Sequence, residues 1–265
     1  MTNLSNIFIS IGNINIYWYS VLILIAIMLG YYIVRKEAPR RGLSVNYISD
    51  LVFYMLFVAI IGARLYYVIF NYKIYKGDFL SIFKVWEGGL AIYGGVIAGI
   101  IFIYFYSKKK GYSFIDTLDV MAPSLILGQA IGRWGNFFNQ EAYGISTTYS
   151  NLKSLHIPKF IINNMYIHGS YHMPTFLYES LLCLFGFIIL MLFRKSNRKR
   201  IGMQVSIYFI IYGIGRFFIE GYRTDSLYFG SLRISQLVSI ILVIMGIGIF
   251  MYNVIVGRKK SNERV

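Results

Sequence analysis

The sequence predicts an all-α polytopic membrane protein with seven transmembrane helices, an N-terminus outside and a C-terminus in the cytoplasm. Hydrophobic residues make up 57% of its 265 residues and charged residues only 14%, and the mean hydropathy is +0.59. A soluble globule normally carries far more charge. Crossing a hydrocarbon core of about 30 Å takes roughly twenty helical residues, and several apolar runs are that long.

Seven such runs occupy residues 17–34, 51–70, 89–106, 118–138, 175–193, 204–222 and 234–256. Most basic residues follow the first, third, fifth and seventh runs, at Arg35, Lys36, Arg40, Arg41, Lys108, Lys109, Lys110, Arg194, Lys195, Arg198, Lys199, Arg200, Arg258, Lys259, Lys260 and Arg264. The other side receives Lys73, Lys76, Lys84, Lys153, Lys159, Arg223 and Arg233. By the positive-inside rule the first group is cytoplasmic, which an odd number of spans satisfies.

Charge and cysteine content disfavour several classes of protein. The formal net charge is +15, but the positive residues stand in short loops between apolar runs, which favours a membrane surface over nucleic acid. Cys183 is the single cysteine, so an internal disulfide and a thiolate metal cluster are excluded. The first apolar run follows an uncharged leader, and we expect it to remain as a span rather than act as a cleaved signal peptide.

Residues 1–265 are predicted to form a single integral membrane domain with one long connection. That connection, residues 139–174, is predicted to be an extracytoplasmic loop insertion and contains His156, His168 and His172. Its length predicts some structure of its own, and it is a candidate cover for a site. The chain shows no convincing internal repeat, which disfavours a transporter built from two related halves.

Polar residues concentrate at the end of the fourth run, in the motif GRWGNFFNQEAYG. On a helix, Arg133 and Asn136 lie three residues apart and share one face. Gly128, Gly132 and Gly135 keep that helix thin enough for close approach of another backbone. A guanidinium group in a narrow gap between two helices is suited to bind an anion.

The sixth run carries a second arginine in the motif YGIGRFFIEGYR. Tyr212, Arg216 and Glu220 follow one another at i, i+4 spacing and form one stripe toward the outer end of the helix. A structural salt bridge between Arg216 and Glu220 would also explain this motif taken alone. Because Arg133 is predicted to lie at a similar depth, the two arginines together indicate one anionic ligand.

Four other charged residues of the spans have structural interpretations. Arg64 is a candidate to pair with an acid of another span. Asp116 and Asp119 begin the fourth run, where negative charge favours a helix N-terminus, and Glu179 also lies near the start of a helix. We therefore expect capping or structural roles for these three acids.

The third run opens with the segment GGLAIYGGVIAG. Gly95 and Gly99 form a small-xxx-small face that helix packing alone would explain. Gly94 and Gly95 are alternatively predicted to let a lipid approach closely. Tyr93 is the residue of this segment with chemistry available.

Five segments along the chain carry a family resemblance: IYWYS, GGLAIYGG, GRWGNFFNQEAYG, HMPTFLYE and YGIGRFFIEGYR. In this order they resemble prolipoprotein diacylglyceryl transferases over nearly the whole chain. The resemblance implies transfer of a diacylglyceryl group from phosphatidylglycerol to the lipobox cysteine of a prolipoprotein, with release of glycerol phosphate. It implies a multi-pass protein of the bacterial cytoplasmic membrane whose partners are that lipid, the lipobox peptide and the bilayer.

The resemblance also assigns residues. The family's essential arginines match Arg133 and Arg216. Its central-motif asparagine and glutamate match Asn136 and Glu141, and its functional tyrosines match Tyr19 and Tyr212. One position departs, because the family carries histidine where this chain has Tyr93. A tyrosine, with an unperturbed pKa of about 10, needs a neighbouring cation to act as a base, so either the base lies elsewhere or Tyr93 hydrogen-bonds the substrate.

The implied chemistry is attack of sulfur on a CH2 carbon of the lipid and departure of a phosphate monoester, without metal or cofactor. A planar, permanently charged guanidinium gives two parallel hydrogen bonds to phosphate, so we expect Arg133 and Arg216 to bind it. The predicted orienting residues are Asn136, Tyr212 and Glu220, and the candidates to assist thiol deprotonation are Tyr19, Tyr93 and a loop histidine.

Two other classes are weighed against this hypothesis. A lipid phosphatase or phosphatidyl transferase, which breaks the P–O bond, is expected to carry an Asp cluster for metal or a phosphate-accepting His in a span, and the sequence shows neither. A transporter or channel for an anionic solute would use the same arginines, but it returns its substrate unchanged.

Overall fold

The computed structural model describes residues 4–12, 14–196 and 200–262 and is mostly helical. Its helices are α1 (Trp18–Glu37), α2 (Val45–Phe70), α3 (Tyr72–Tyr75), α4 (Ile92–Lys109), α5 (Phe114–Asn139), α6 (Tyr149–Ser154), α7 (Lys159–Asn164), α8 (Thr175–Phe193), α9 (Met203–Glu220) and α10 (Ile234–Asn262). Short 3-10 helices cover Ala38–Arg41, Phe79–Phe83 and Val85–Glu87. The strands are β1 (Ile7–Ile11), β2 (Ile14–Tyr17), β3 (Ser146–Thr147), β4 (Tyr166–Ile167), β5 (Ser170–His172), β6 (Tyr228–Phe229) and β7 (Leu232–Arg233). Arg198, Lys199 and Arg264, which contribute to the predicted orientation, lie outside the described residues.

Within the described residues, five helices are long and apolar enough to cross a membrane. They are Trp18–Arg41, Val45–Phe70, Phe114–Asn139, Thr175–Phe193 and Ile234–Ile255. The other two predicted spans, 89–106 and 204–222, are largely helical, because they overlap α4 and α9, which have 18 residues each. Charged residues inside these two helices, Arg216 and Glu220 in α9 for example, reduce their apolar character. The chain is therefore a mostly helical membrane protein with a few short strands.

An antiparallel hairpin precedes the first long helix. β1 and β2 pair with Ile11 opposite Ile14. The amide of Trp18 donates to the carbonyl of Asn6 at 3.0 Å, so the open end of the hairpin leads directly into α1. The Trp18 ring stacks on Phe138 of α5, with ring centroids 4.8 Å apart. These contacts hold the hairpin beside the end of α5.

The chain divides into two compact units, one of Met1–Ile33 with Asp119–Val265 and one of Val34–Leu118. The smaller unit contains α2, α3 and α4, and the larger unit contains the connection 139–174 and the helices that follow it.

In the smaller unit, α2 and α4 approach closely at small residues. A Cβ on Gly95 would stand 3.1 Å from the carbonyl oxygen of Ala59. A Cβ on Gly94 would overlap the carbonyl oxygen of Gly62 and the side chain of Tyr66. These two glycines therefore have a packing role, whereas a Cβ on Gly99, the predicted partner of Gly95, would meet nothing within 4 Å.

Arg64 in the smaller unit binds backbone carbonyl groups. Its Nε donates to Ile82 at 2.8 Å and its Nη2 donates to Ser81 at 2.6 Å. Its Nη1 donates to Gly88 at 2.6 Å and to Gly89 at 3.1 Å. These glycines have φ of 91° and 69°, which residues with a Cβ rarely adopt. The expected pairing with an acid is thus replaced by four carbonyl partners that fix the segment before α4.

Asp119 in the larger unit caps a helix other than its own. The carboxylate accepts hydrogen bonds from the backbone amides of Gly202 and Val205, at 2.8 Å each. These amides open α9, and the Asp119 side chain is buried at 1% exposure. The prediction that Asp119 caps its own helix is therefore wrong, because its carboxylate caps α9 instead.

The connection 139–174 contains two short helices and a three-stranded antiparallel sheet of order β3-β5-β4. Its residues Ile161, Met165 and Ile167 pack with Phe137 of α5 and Phe176 of α8 in one buried cluster. Burial of these apolar side chains fixes the connection against the ends of both helices.

Polar contacts reinforce that arrangement. Asn164, 1% exposed, donates to the carbonyl of Phe137 at 2.8 Å and accepts from the amide of Leu4 at 3.2 Å. His172 uses both ring nitrogens, because Nδ1 lies 2.9 Å from the carbonyl oxygen of Gly144 and Nε2 lies 3.0 Å from the Ser170 hydroxyl. His172 therefore has a structural role in the connection.

Candidate active site

The GRWGNFFNQEAYG motif forms the end of α5 and the turn that follows it. Arg133 Nη1 donates to Asn136 Oδ1 at 3.2 Å, as expected for side chains three residues apart on one helix face. After the helix, Gln140 and Ala142 adopt φ of 51° and 57° and turn the chain back. The turn places Glu141 Oε1 within 2.8 Å of Asn136 Nδ2. Asn136 therefore links the arginine to the glutamate.

A buried carboxylate from α8 joins α5 to α9. Glu179 Oε1 lies 2.6 Å from Arg133 Nη2, and Glu179 Oε2 lies 2.7 Å from Arg216 Nη1. Glu179 is 1% exposed, and a charge buried to this degree requires charged partners. The structure thus brings the two predicted arginines together on one acid.

Close packing places α8 for this contact. Trp134 Nε1 of α5 donates to the Ser180 hydroxyl at 3.2 Å, and that hydroxyl donates to the carbonyl of Ala130 at 2.9 Å. On the other side, a Cβ at Gly215 of α9 would overlap the side chain of Leu182. Both contacts bring α8 near enough to α5 and α9 for Glu179 to reach both guanidinium groups.

The stripe predicted on α9 is present. Arg216 Nη2 lies 2.6 Å from Glu220 Oε2, and Glu220 is 1% exposed. Arg223 Nε lies 4.0 Å from the same carboxylate oxygen, and Arg233 donates to the backbone carbonyl of Glu220. Glu220 therefore holds Arg216 from one side while Glu179 holds it from the other.

Arg223 is itself held by an acid after α9. Its Nε and Nη2 donate to the two carboxylate oxygens of Asp225 at 2.9 Å and 2.7 Å. Burial alone would raise the pKa of Asp225, but the hydrogen bonds and positive charge of Arg223 hold it below its ordinary value. Asp225 therefore stays ionised and keeps Arg223 beside the site.

Tyr212 lies at the edge of the charged group. Its hydroxyl is 3.5 Å from Glu179 Oε1, a long contact that indicates a weak hydrogen bond. Its ring stacks on Tyr208, one turn earlier in α9, with centroids 5.8 Å apart. Ring stacking and this long contact with Glu179 thus both bear on the position of Tyr212.

Tyr19, in the first turn of α1, packs on α5 between Arg133 and the Glu141 turn. Its ring occupies the space that a Cβ on Gly135 would fill. A glycine at this position therefore lets the tyrosine lie directly on the α5 backbone.

The four charges of the cluster balance, since Arg133 and Arg216 face Glu179 and Glu220. The side chain of Arg133 is 22% exposed and that of Arg216 is 12% exposed. Arg133 Nε is buried and has no hydrogen-bond partner among the residues that the structure describes. The cluster therefore keeps unused donor capacity at Arg133, the more exposed arginine.

Tyr93, Gly94 and Gly95 belong to the first turn of α4 in the smaller unit. The glycines have the packing role described above. That any of these three residues takes part in substrate binding or proton transfer stays a prediction.

The sequence did not single out Glu179 as a site residue, although it proves to contact both arginines. The signal for Glu179 in the sequence is the cost of a carboxylate inside an apolar helix, but a position near the helix start explains an acid equally well. In the described ranges, no group of three or more His, Cys, Asp or Glu side chains is placed to hold a metal ion.

Comparisons with known proteins agree with the motifs. Residues 6–252 match the family model described as prolipoprotein diacylglyceryl transferase. A phosphatidylglycerol–prolipoprotein diacylglyceryl transferase of Listeria monocytogenes serotype 4b is 48% identical over 244 residues, which cover 92% of this chain and 88% of the relative. Proteins of the same name from Halalkalibacterium halodurans and Ligilactobacillus salivarius are 48% and 46% identical, covering 94% and 92% of this chain and 86% and 91% of the relatives.

Proposed function

The chain belongs to the prolipoprotein diacylglyceryl transferase family, and we propose that Arg133 and Arg216 carry out its reaction by binding the phosphate of phosphatidylglycerol. The protein is a membrane-embedded transferase of lipoprotein biosynthesis. It moves the diacylglyceryl group of that lipid to the lipobox cysteine of a prolipoprotein, the first step of lipoprotein maturation.

The observation that carries the proposal is the shared contact of Arg133 and Arg216 with Glu179, at 2.6 Å and 2.7 Å. Two guanidinium groups brought to one carboxylate are spaced to hold one small anion. Phosphate offers the same kind of acceptor oxygens as a carboxylate, so it suits the same donors. Arg133 is the more exposed, and we assign it the first contact with the lipid.

The reaction forms a C–S bond and breaks a C–O bond. The cysteine thiolate attacks the CH2 carbon that carries the phosphate, and the electron pair of the broken C–O bond goes to the phosphate oxygen. Glycerol phosphate leaves with one more negative charge than the phosphodiester had. Arginine donors placed at that oxygen strengthen in the transition state, which lowers the barrier.

The other residues of the cluster position the arginines. Asn136 accepts from Arg133, Glu220 holds Arg216 from within α9, and Tyr212 supports Glu179 at the edge. These contacts fix the guanidinium planes before the lipid arrives, so less reorganisation is needed during the reaction.

We assign the remaining predicted residues to the substrates. Tyr19 and Glu141 lie beside the cluster and are assigned to the thiol substrate. Tyr93 is proposed to hydrogen-bond the lipid, while Gly94 and Gly95, which pack against α2, hold that turn of α4 in place. Phosphatidylglycerol, the lipobox peptide and the bilayer are thus the proposed partners, and the proposed reaction needs no metal or cofactor.

We further propose seven spans, with α4 and α9 added to the five apolar helices, in the bacterial cytoplasmic membrane. The site at the end of α5 and of α9 then faces outward, and the connection 139–174 is an extracytoplasmic insertion in a single membrane domain. The distribution of basic residues in the sequence supports this orientation.

Mass spectrometry of a lipobox peptide tests the function. The purified protein is incubated with phosphatidylglycerol and the peptide, and we expect a mass gain of one diacylglyceryl group together with released glycerol phosphate. A peptide with serine in place of cysteine is the matched control and should gain nothing. Phosphate or diacylglycerol released without peptide modification would indicate a lipid hydrolase instead.

A further inference from the structure

An open cavity of about 440 Å³ lies next to the arginine cluster in the larger unit. Its walls come from the open end of the β1–β2 hairpin, the first turn of α1 and the end of α5. The lining residues are Asn6, Tyr17, Tyr19, Ser20, Asn139 and Glu141.

Glu141 lines this cavity and has one carboxylate oxygen without a hydrogen bond to the described residues. Its Oε1 accepts from Asn136 Nδ2 at 2.8 Å and from Asn139 Nδ2 at 3.3 Å. Its Oε2 accepts no hydrogen bond from any residue that the structure describes, and the side chain is exposed. One oxygen is therefore anchored while the other is free to take a proton.

The charge of the lining distinguishes between the two substrates. It contains one carboxylate and no cation, so a lipid phosphate would be repelled here and attracted by Arg133 and Arg216. Amide and hydroxyl groups from Asn6, Ser20 and Tyr17 match the peptide groups of an extended chain, and a neutral thiol is compatible with the carboxylate.

We propose that this cavity binds the cysteine-containing segment of the prolipoprotein and that Glu141 Oε2 accepts the proton of its thiol. This inference rests on the proposed function and names the second substrate's place in it. The S–H bond breaks, its electron pair stays on sulfur, and Glu141 becomes a neutral carboxylic acid. After transfer, Glu141 returns the proton to water or to the departing glycerol phosphate.

Geometry links this step to the phosphate site. Asn136 contacts Glu141 through Nδ2 and Arg133 through Oδ1, so one amide holds the base and the phosphate-binding arginine in a fixed relation. Glu141 also accepts from Asn139, the last residue of α5. The thiolate therefore forms on the side of Asn136 opposite to the arginine that binds the leaving group.

A lipobox peptide with selenocysteine in place of cysteine tests the proposal, because a selenol is ionised at neutral pH and needs no base. Transfer is measured by mass spectrometry with the full-length enzyme in vesicles of phosphatidylcholine and phosphatidylglycerol. We expect Glu141→Gln to lower the rate of transfer to the cysteine peptide by about 100-fold or more. With the selenocysteine peptide the variant should come within about tenfold of the wild-type rate.

Arg133→Lys is the matched control, because it weakens the phosphate site and should lose rate equally on both peptides. A second readout is Glu141→Ala with added formate, which enters the cavity as a substitute carboxylate and should restore transfer at least partly.

Two results would overturn the proposal. Equal losses of Glu141→Gln on both peptides, without formate rescue of Glu141→Ala, would make Glu141 a positioning residue. Full activity of Glu141→Gln on the cysteine peptide would remove it from the reaction. Failure of the proposed function is distinct, since the wild-type protein would then modify neither peptide.

Discussion

Glu179 Oε1 lies 2.6 Å from Arg133 Nη2, and this contact joins the fourth and fifth predicted spans at the candidate active site. The second oxygen of the same carboxylate holds Arg216 at 2.7 Å. One buried acid thereby sets the separation of the two groups that are proposed to bind phosphate. An arrangement of this kind makes the acid as important to the site as the arginines.

Removing the Glu179 charge should impair both activity and stability. Glu179→Gln keeps the shape, but it removes the negative charge and leaves an acceptor oxygen for only one of the two arginines, and we expect transfer to fall roughly 100-fold. Glu179→Ala leaves two guanidinium groups without their shared acid and should cost about 3–5 kcal/mol of unfolding free energy. Asp50→Asn, which removes one exposed carboxylate from α2, is the control for both the transfer assay and thermal unfolding in detergent.

Tyr212→Phe should have a small effect. The hydroxyl is 3.5 Å from Glu179 Oε1, and a hydrogen bond of that length contributes little. The stacking on Tyr208 is retained, so we expect less than about a fivefold change in kcat/KM, equivalent to roughly 1 kcal/mol. A loss as large as that of Glu179→Gln would show that the hydroxyl contacts a substrate.

Gly135→Ala tests the approach of Tyr19 to α5. The new methyl group overlaps the Tyr19 ring, and we expect a loss of about 1–3 kcal/mol in unfolding free energy together with reduced transfer. Gly128→Ala on the same helix meets no atom within 4 Å and should be neutral or stabilising. Equal behaviour of the two variants would contradict the packing described here.

Arg64→Lys should loosen the segment between α2 and α4. A lysine ammonium cannot reproduce the planar set of bonds to the carbonyls of Ser81, Ile82, Gly88 and Gly89. Limited trypsin digestion should therefore cut at Lys84 about tenfold faster, because local opening exposes the backbone. Arg40→Lys, at a half-exposed ion pair with Glu37, should leave the cleavage rate unchanged.

Local sequence patterns account for the fold class and for those contacts of the site that lie within a single helix. Hydropathy indicates the long helices, and i, i+3 or i, i+4 spacing indicates the contacts of Arg133 with Asn136 and of Arg216 with Glu220. Asn136 and Glu141 meet only because two residues of positive φ turn the chain back after α5. The family motif indicates that both residues belong to the site, but their spacing does not predict the contact between them.

Contacts between helices account for what the sequence does not predict. Glu179 reaches both arginines only because Gly215 and the Trp134–Ser180 bond bring α8 close to its neighbours. Its position near a helix start offered a simpler explanation. Arg64 donates its hydrogen bonds to backbone carbonyl groups. Because every residue has such a group, the residue types in the sequence cannot predict which ones Arg64 contacts.

The central claim is that Arg133 and Arg216 act together on one phosphate, and a double-mutant cycle tests it most directly. The kcat/KM of transfer is measured by mass spectrometry for Arg133→Lys, Arg216→Lys and the double variant. We expect each single variant to lose roughly 100-fold, and the double variant to lose little more than either one, because residues that act as a unit are strongly non-additive. Multiplied losses in the double variant would mean that the two arginines contribute independently and would contradict a shared phosphate site.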